Sequence, residues 1–186
     1  MLNVAVIGMG WWGKTLVTAI GKSSKLRVVK GVKRNPATEA EFAREHKFEI
    51  ISDYSGVLKD PTIQGVVLCT PHTLHTEQII AAAKAGKHIF CEKPLTARLE
   101  DADRMVAECR SRGVLLAAGV VVSSHPDYQK AYALAASGEI GEVRRINLYE
   151  ANGQGGCHGL NLARKFAGKS QVEFVTGWVE GDPFSD

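Results

Sequence analysis

At 186 residues, the chain has room for one full domain and part of a second, at roughly 100–200 residues per domain. With 45% apolar and 23% charged residues its balance is that of an ordinary globular protein, which excludes wholesale disorder. Lys and Arg (23) exceed Asp and Glu (20) by only three charges, too few for the basic stripe of a nucleic-acid-binding protein.

Taken in chain order, short β-branched runs alternate with helical stretches. Leu2–Ile7 reads as a buried strand, followed by a helix over 12–20, a second strand Leu26–Val32, and a helical stretch between Pro36 and Lys47. A third apolar strand over 65–69 feeds a helix through Ala81-Ala82-Ala83-Lys84-Ala85, with Gly86 as its stop. His88–Cys91 is the fourth strand. Thr96 is placed to cap a helix whose apolar face is Leu99, Ala102, Val106 and Cys109, and 114–122 reads as a fifth, longer strand. Such β-α repeats with continuously apolar strands predict a doubly wound parallel sheet of Rossmann type, helices on both faces, over residues 1–122.

Beyond residue 122 the rhythm changes. Pro126 opens a helix that Ser137-Gly138 ends, 142–150 alternates like an antiparallel strand, a glycine-rich stretch precedes a short helix over 160–167, and 172–179 reads as a last strand. Two strands with nothing to pair them are marginal in water. We therefore expect 123–186 to be an incomplete α+β domain. The longest apolar run, 114–122, spans nine residues against the roughly 20 of a membrane-spanning helix, and the start lacks the basic region of a signal peptide. The four cysteines (69, 91, 109, 157) are too widely spaced for a disulfide framework or a metal knuckle. A cytoplasmic protein with no membrane or nucleic-acid partner is the expectation.

The densest motif is Gly8-Met9-Gly10-Trp11-Trp12-Gly13, between a predicted strand and a predicted helix. In a dinucleotide fold Gly8 makes the tight turn, Gly10 lets a pyrophosphate approach the backbone, and Gly13 lets helix pack on strand. Trp11 and Trp12 then sit at the cofactor. The same residues also spell Gly8-x4-Gly13-Lys14-Thr15, a literal match to a triphosphate P-loop. Against that rival stand two tryptophans inside the would-be wrap and the lack of an acidic residue after Val66-Val67-Leu68 to hold Mg2+.

The second strand ends in Gly31-Val32-Lys33-Arg34-Asn35, where an NAD-preferring site usually carries an acidic residue for the ribose 2′-hydroxyl. Lys33 and Arg34 would instead attract a 2′-phosphate, so NADP is favoured over NAD.

Thr70-Pro71-His72-Thr73-Leu74-His75 follows the third apolar strand and Cys91-Glu92-Lys93-Pro94-Leu95 the fourth, both at the strand ends where open α/β sheets bind ligands. With the glycine turn, these motifs closely resemble the glucose–fructose oxidoreductase/inositol dehydrogenase/rhizopine catabolism (Gfo/Idh/MocA) family, over about residues 3–150. The resemblance implies that Lys93 is catalytic, beside the nicotinamide and the substrate hydroxyl. Glu92 and Pro94 would shape its turn, and Thr70, Pro71 and His75 would line the nicotinamide edge. The chemistry agrees: withdrawing hydride from a secondary alcohol leaves a hydroxyl proton to be accepted, which a positioned amine can do. His72 and His75 have the spacing of a metal pair but no evident third ligand, so no metal is expected.

The resemblance further implies that 123–186 is the truncated start of a substrate-binding and oligomerisation domain, with a motif Asp-x-Gly-x-His-x-x-Asp. Gln154-Gly155-Gly156-Cys157-His158-Gly159-Leu160-Asn161 offers His158 as a second catalytic residue, with Gln154 and Asn161 replacing both carboxylates. An imidazole without its carboxylate loses an orienting contact. The expected function is an NAD(P)-dependent oxidoreductase acting on a secondary alcohol of a sugar, cyclitol or related polyol, with a homo-oligomer formed through the second-domain sheet. The alternatives are a catalytically incomplete dinucleotide-binding module, serving as sensor or degenerate paralogue, and the P-loop hydrolase.

Overall fold

The computed structural model describes residues 1–149, 156–168 and 170–177, in two compact units, Met1–Val121 and Val122–Asp186. The first unit is built on six strands: β1 (Leu2–Ile7), β2 (Leu26–Val32), β3 (Glu49–Ile51), β4 (Gly65–Leu68), β5 (His88–Cys91) and β6 (Leu116–Ala118). They lie in the order β3-β2-β1-β4-β5-β6, every pairing parallel. Between them run α1 (Trp11–Ile20), α2 (Ala40–Glu45), α3 (Tyr54–Lys59), α4 (His75–Lys84) and α5 (Leu99–Ser111).

Alternation along the central strands builds two cores. Ala5 and Ile7 of β1 join Val66 and Leu68 of β4, Ile79 and Ala82 of α4, and Met105 of α5 on one face. Val4, Val6 and Val67 join Val17 of α1, Ala43 and Phe48 on the other. This is why both strands read as uninterrupted apolar runs: each side chain meets a helix layer on its own face.

The predicted bounds of β1, β2 and β5 coincide with the observed ones, and Gly86 takes the left-handed conformation (φ +71°) after α4. Three expectations need correcting. The strand expected over 114–122 is reduced to Leu116–Ala118, because its partner β5 ends at Cys91 and offers pairing only for Leu116, Ala117 and Ala118. The chain then enters a tight 3-10 turn at Val121–Ser124. Thr96 is not the cap of α5: Arg98 is, and Thr96 Oγ1 instead accepts from the Arg98 N–H at 3.2 Å. The edge strand β3 and the short helix α3 were not predicted at all.

At the amino-terminal end of the sheet, Lys87 is 6% exposed. Its Nζ donates to the carbonyls of Asp60 (2.6 Å) and Ile63 (2.8 Å), and burial lowers its pKa. Asp60 also pairs with Lys30 at 2.8 Å.

The second unit contains α6 (Pro126–Ala136) and α7 (Gly156–Phe166). Tyr132 and Phe166 meet edge to face, with ring centroids 6.1 Å apart, and Lys165 Nζ lies 4.8 Å over the Tyr132 ring. Residues 142–149 and 172–177, within the two strands expected here, form no strand among the described residues. A strand alone has no ladder to join, and its backbone donors and acceptors turn to water. Residues 150, 178 and 179 of those expected strands lie outside the described residues.

Candidate functional site

The winding of the sheet reverses between β1 and β4, and the crevice outside their carboxyl ends is where such folds bind ligands. The chain leaves β1 through Gly8, in the left-handed region at φ +93°. A Cβ on Gly8 would come within 2.7 Å of the Cys69 carbonyl oxygen, so the turn lies hard against the exit of β4. A Cβ on Gly13 would meet the Gly8 oxygen at 2.2 Å, which packs the first turn of α1 directly on that loop.

Gly10 is different. Its φ of −78° suits any residue, and a Cβ there would touch nothing within 4 Å. Glycine here keeps space open above the backbone. Gly10 is also the N-cap of α1, which has neither a capping side chain nor an acidic residue in its first turn. Free N–H groups and the positive end of the helix dipole therefore face that opening unopposed, the arrangement a pyrophosphate requires. Trp11 stands 76% exposed beside it. Trp12 meets Trp11 edge to face at 5.1 Å, and its buried Nε1 has no hydrogen-bond partner among the described residues.

The residues that suggested a P-loop are committed elsewhere. Lys14 Nζ pairs with Glu39 at 3.2 Å and lies over the Phe42 ring, while the Thr15 hydroxyl donates to the Trp11 carbonyl at 2.9 Å. Both tryptophans belong to α1, so the loop cannot wrap a triphosphate.

The crevice has a volume of about 490 Å³ and runs from the glycine turn to Lys33 and Arg34 at the end of β2, with Thr70 and Pro71 on its other wall. Its floor is fixed by Gln78, whose Oε1 accepts from Thr70 Oγ1 at 2.6 Å and whose carbonyl accepts from Tyr54 at 2.9 Å. Burial pushes the Tyr54 hydroxyl pKa up, so it stays a proton donor. Arg34 is exposed and has no ion pair among the described residues. Lys33 donates to Glu39, a 7% exposed residue whose carboxyl is held below the usual range, chiefly by that hydrogen bond. Tyr54, Gln78 and Glu39 carry no motif in the sequence, and only the fold brings the first two to the crevice and the third against Lys33.

Lys93 sits half-buried on the loop after β5. Glu92 is 6% exposed and turns its carboxylate against Gly119, where a Cβ would lie 2.7 Å from Oε1. That oxygen has no hydrogen-bond partner among the described residues, and Oε2 accepts from the Lys93 backbone N–H at 3.3 Å. No ion pair joins Glu92 to the Lys93 ammonium among the described residues, so the neighbouring carboxylate is not spent on the amine. The thiols of Cys69 and Cys91 are pushed up to about 12, first by burial and then by Glu92.

His75 is 1% exposed and lies beneath the rim. Its Nε2 is 2.9 Å from the Thr70 carbonyl, and its Nδ1 is 3.1 Å and 3.3 Å from the carbonyls of Pro94 and Leu95. The ring thus lies between the Thr70-Pro71 loop and the loop that carries Lys93, each neutral tautomer donating to one of them. With carbonyls at both nitrogens, neither is directed at a metal, and His72 stands exposed on the preceding turn. Replacing His75 by Leu removes the donor from these part-buried carbonyls, and we expect it to lower unfolding stability by about 1–3 kcal/mol, measured by urea denaturation. An unchanged midpoint would show that these contacts carry no energy.

His158 lies half-buried on α7 in the second unit, its Nδ1 without a partner among the described residues. Asn161 is exposed, and Gln154 lies outside the described residues.

Residues 2–120 match the model of the Gfo/Idh/MocA group, described as an oxidoreductase family with an NAD-binding Rossmann fold. The chain is 35% identical over 145 residues to the uncharacterized oxidoreductase YrbE of Bacillus subtilis, covering 77% of this chain and 42% of YrbE. It is 37% identical over 92 residues to myo-inositol 2-dehydrogenase of Thermotoga maritima, covering 50% of this chain and 28% of that enzyme. Among solved structures, KijD10, a 3-ketoreductase from Actinomadura kijaniata in complex with NADP and TDP-benzene, superposes with a TM-score of 0.71 at 29% identity, covering 77% of this chain and 44% of that one. The chain thus spans less than half the length of these relatives. No helix among the described residues is long and apolar enough to cross a membrane. Sequence match and sheet order agree with the open glycine turn, and the chain belongs to the Gfo/Idh/MocA oxidoreductase family with its NAD-binding Rossmann fold.

Proposed function

We propose that the protein is an NAD(P)-dependent oxidoreductase acting on a secondary alcohol of a sugar, cyclitol or related polyol. The observation that supports this reading is the open glycine turn lining the crevice, with the loop that bears Lys93 adjoining one of the crevice walls. The glycine turn presents free N–H donors on one side, and His75 lies between the loop bearing Lys93 and the wall formed by Thr70 and Pro71. When bound, the nicotinamide supplies the hydride chemistry. Lys93 holds or accepts the proton of the substrate hydroxyl at Nζ and offsets negative charge on the oxygen. Gly8, Gly10 and Gly13, with Trp11 and Trp12, form the dinucleotide cradle. Glu92 fixes the backbone of the Lys93 loop, and His158 is assigned to the substrate side as a second proton-handling group. Residues 1–122 would bind the dinucleotide and 123–186 would belong to the substrate and oligomer side. Four free cysteines fit a reducing, cytoplasmic setting.

NADP is the favoured dinucleotide because Lys33 and Arg34, and no acidic residue, end β2. Arg34 has the larger share, since Lys33 already donates to Glu39. Replacing both by Ala is expected to weaken NADPH binding by about 10–100-fold, as loss of charge-assisted contacts implies, and NADH binding far less. Fluorescence titration of the two dinucleotides checks this, and equal losses would refute the preference. The function itself is tested by dinucleotide reduction across a polyol panel. Tight NADPH binding with no turnover on any member would instead identify an incomplete binding module.

A further inference from the structure

We propose that Glu39 is a specificity-determining residue: by engaging the Lys33 ammonium, it weakens the attraction of the crevice for a 2′-phosphate and keeps the non-phosphorylated dinucleotide competitive. This rests on the reading of the crevice as a nicotinamide-dinucleotide site.

The geometry is local. After β2 the chain passes Lys33-Arg34-Asn35 and makes one 3-10 turn, Pro36–Glu39, which brings Glu39 back beneath Lys33. Glu39 Oε1 accepts from Lys33, and Oε2 lies 3.2 Å from Lys14 Nζ of α1. The carboxylate side chain is 9% exposed, against 32% for Lys33 and 39% for Lys14. A buried acid thus sits under two partly exposed amines and links the end of β2 to the helix that follows the glycine turn.

Two consequences follow. With both oxygens engaged and the group buried, Glu39 is not free to accept from a ribose hydroxyl, as an acidic residue ending β2 would. It also cancels one of the three positive charges of Lys14, Lys33 and Arg34 just where a 2′-phosphate would need them. A dianionic phosphate must compete with Glu39 for Lys33. A plain ribose does not compete, so its binding is nearly indifferent to the pair.

The test is the affinity of the intact protein for NADPH and for NADH, each titrated by its own fluorescence, in wild type and Glu39→Gln. We expect NADPH to bind about tenfold more tightly in the variant, the gain of one charge-assisted contact. NADH should change by no more than about twofold, because its ribose hydroxyl does not compete for Lys33. In a Lys33→Met background the gain should vanish, because the effect runs through Lys33. Should Glu39→Gln fail to fold, Glu39→Asp keeps the charge but shortens the reach to Lys33, and a smaller gain in NADPH affinity, about two- to threefold, is expected. Weakened NADH binding with NADPH unaltered, or equal changes for both, would overturn the inference while leaving the dinucleotide reading intact. If the wild type bound neither dinucleotide, the underlying reading would fail instead.

Discussion

Lys93→Met is expected to lower kcat in dinucleotide reduction by about 10²–10⁴-fold, the usual contribution of a positioned acid–base group, with NADPH affinity nearly unchanged. Methionine keeps the unbranched reach of the side chain but removes its proton-carrying charge. The loop itself is held by contacts that do not involve the ammonium: His75 on the Pro94 and Leu95 carbonyls, and the Glu92 N–H on the Leu68 carbonyl at 2.9 Å. The fold around position 93 should therefore survive the change. Steady-state rates and a parallel dinucleotide titration separate the outcomes. Turnover within a few fold of wild type would remove Lys93 from the chemistry, and loss of binding alongside rate would make it a binding residue.

Gly13→Ala is the largest expected effect on the fold. In an ordinary helix this change gains up to about 1 kcal/mol, but here the new methyl would lie 2.2 Å from the Gly8 carbonyl oxygen. The obstacle is backbone and cannot rotate away. Helix α1 must lift from β1, or the Gly8 turn must shift into Cys69 and Thr70, against which it already packs. We expect a loss of about 3 kcal/mol or more, the upper range for overpacking, together with loss of dinucleotide binding. Gly10→Ala is the matched control: with nothing near the added methyl, stability should hold within about 0.5 kcal/mol while binding weakens. Urea denaturation and dinucleotide titration of both variants check the pair. Equal destabilisation by the two would mean that Gly10 serves the fold rather than the opening.

How legible this was in the sequence depends on the kind of signal. β1 announces itself by the apolar run Val4-Ala5-Val6-Ile7 that burial on both faces demands, β2 and β5 by their β-branched and aromatic residues, and the glycine turn because its spacing is geometric. β3 has three residues, starts on a glutamate and pairs with β2 alone; α3 has six, capped by Asp53 accepting from the Ser55 N–H. Neither is long enough to show a period. The 114–122 stretch misleads because composition reports burial, whereas strand length is set by the partner: β5 stops, and Gly119 is taken up by the Glu92 carboxylate. At the site, Lys93 and the glycines are motif residues and could be read directly. That the His75 ring lies beneath the rim with carbonyls at both nitrogens, and that Lys33 is bonded to Glu39, depends on side chains meeting across loops. Spacing along the chain carries no record of that.

The buried Lys87 amine has a consequence for the opposite end of the molecule. It clamps the segment entering β4 to the start of β5, while His75 clamps the segments leaving the same two strands. This pair of neighbouring strands is thus bolted top and bottom, like a rung fixed to both rails. Sliding of one strand past its neighbour, which would carry Lys93 away from the Thr70-Pro71 wall, is resisted at each extremity, so the amine is presented from a stiff mount.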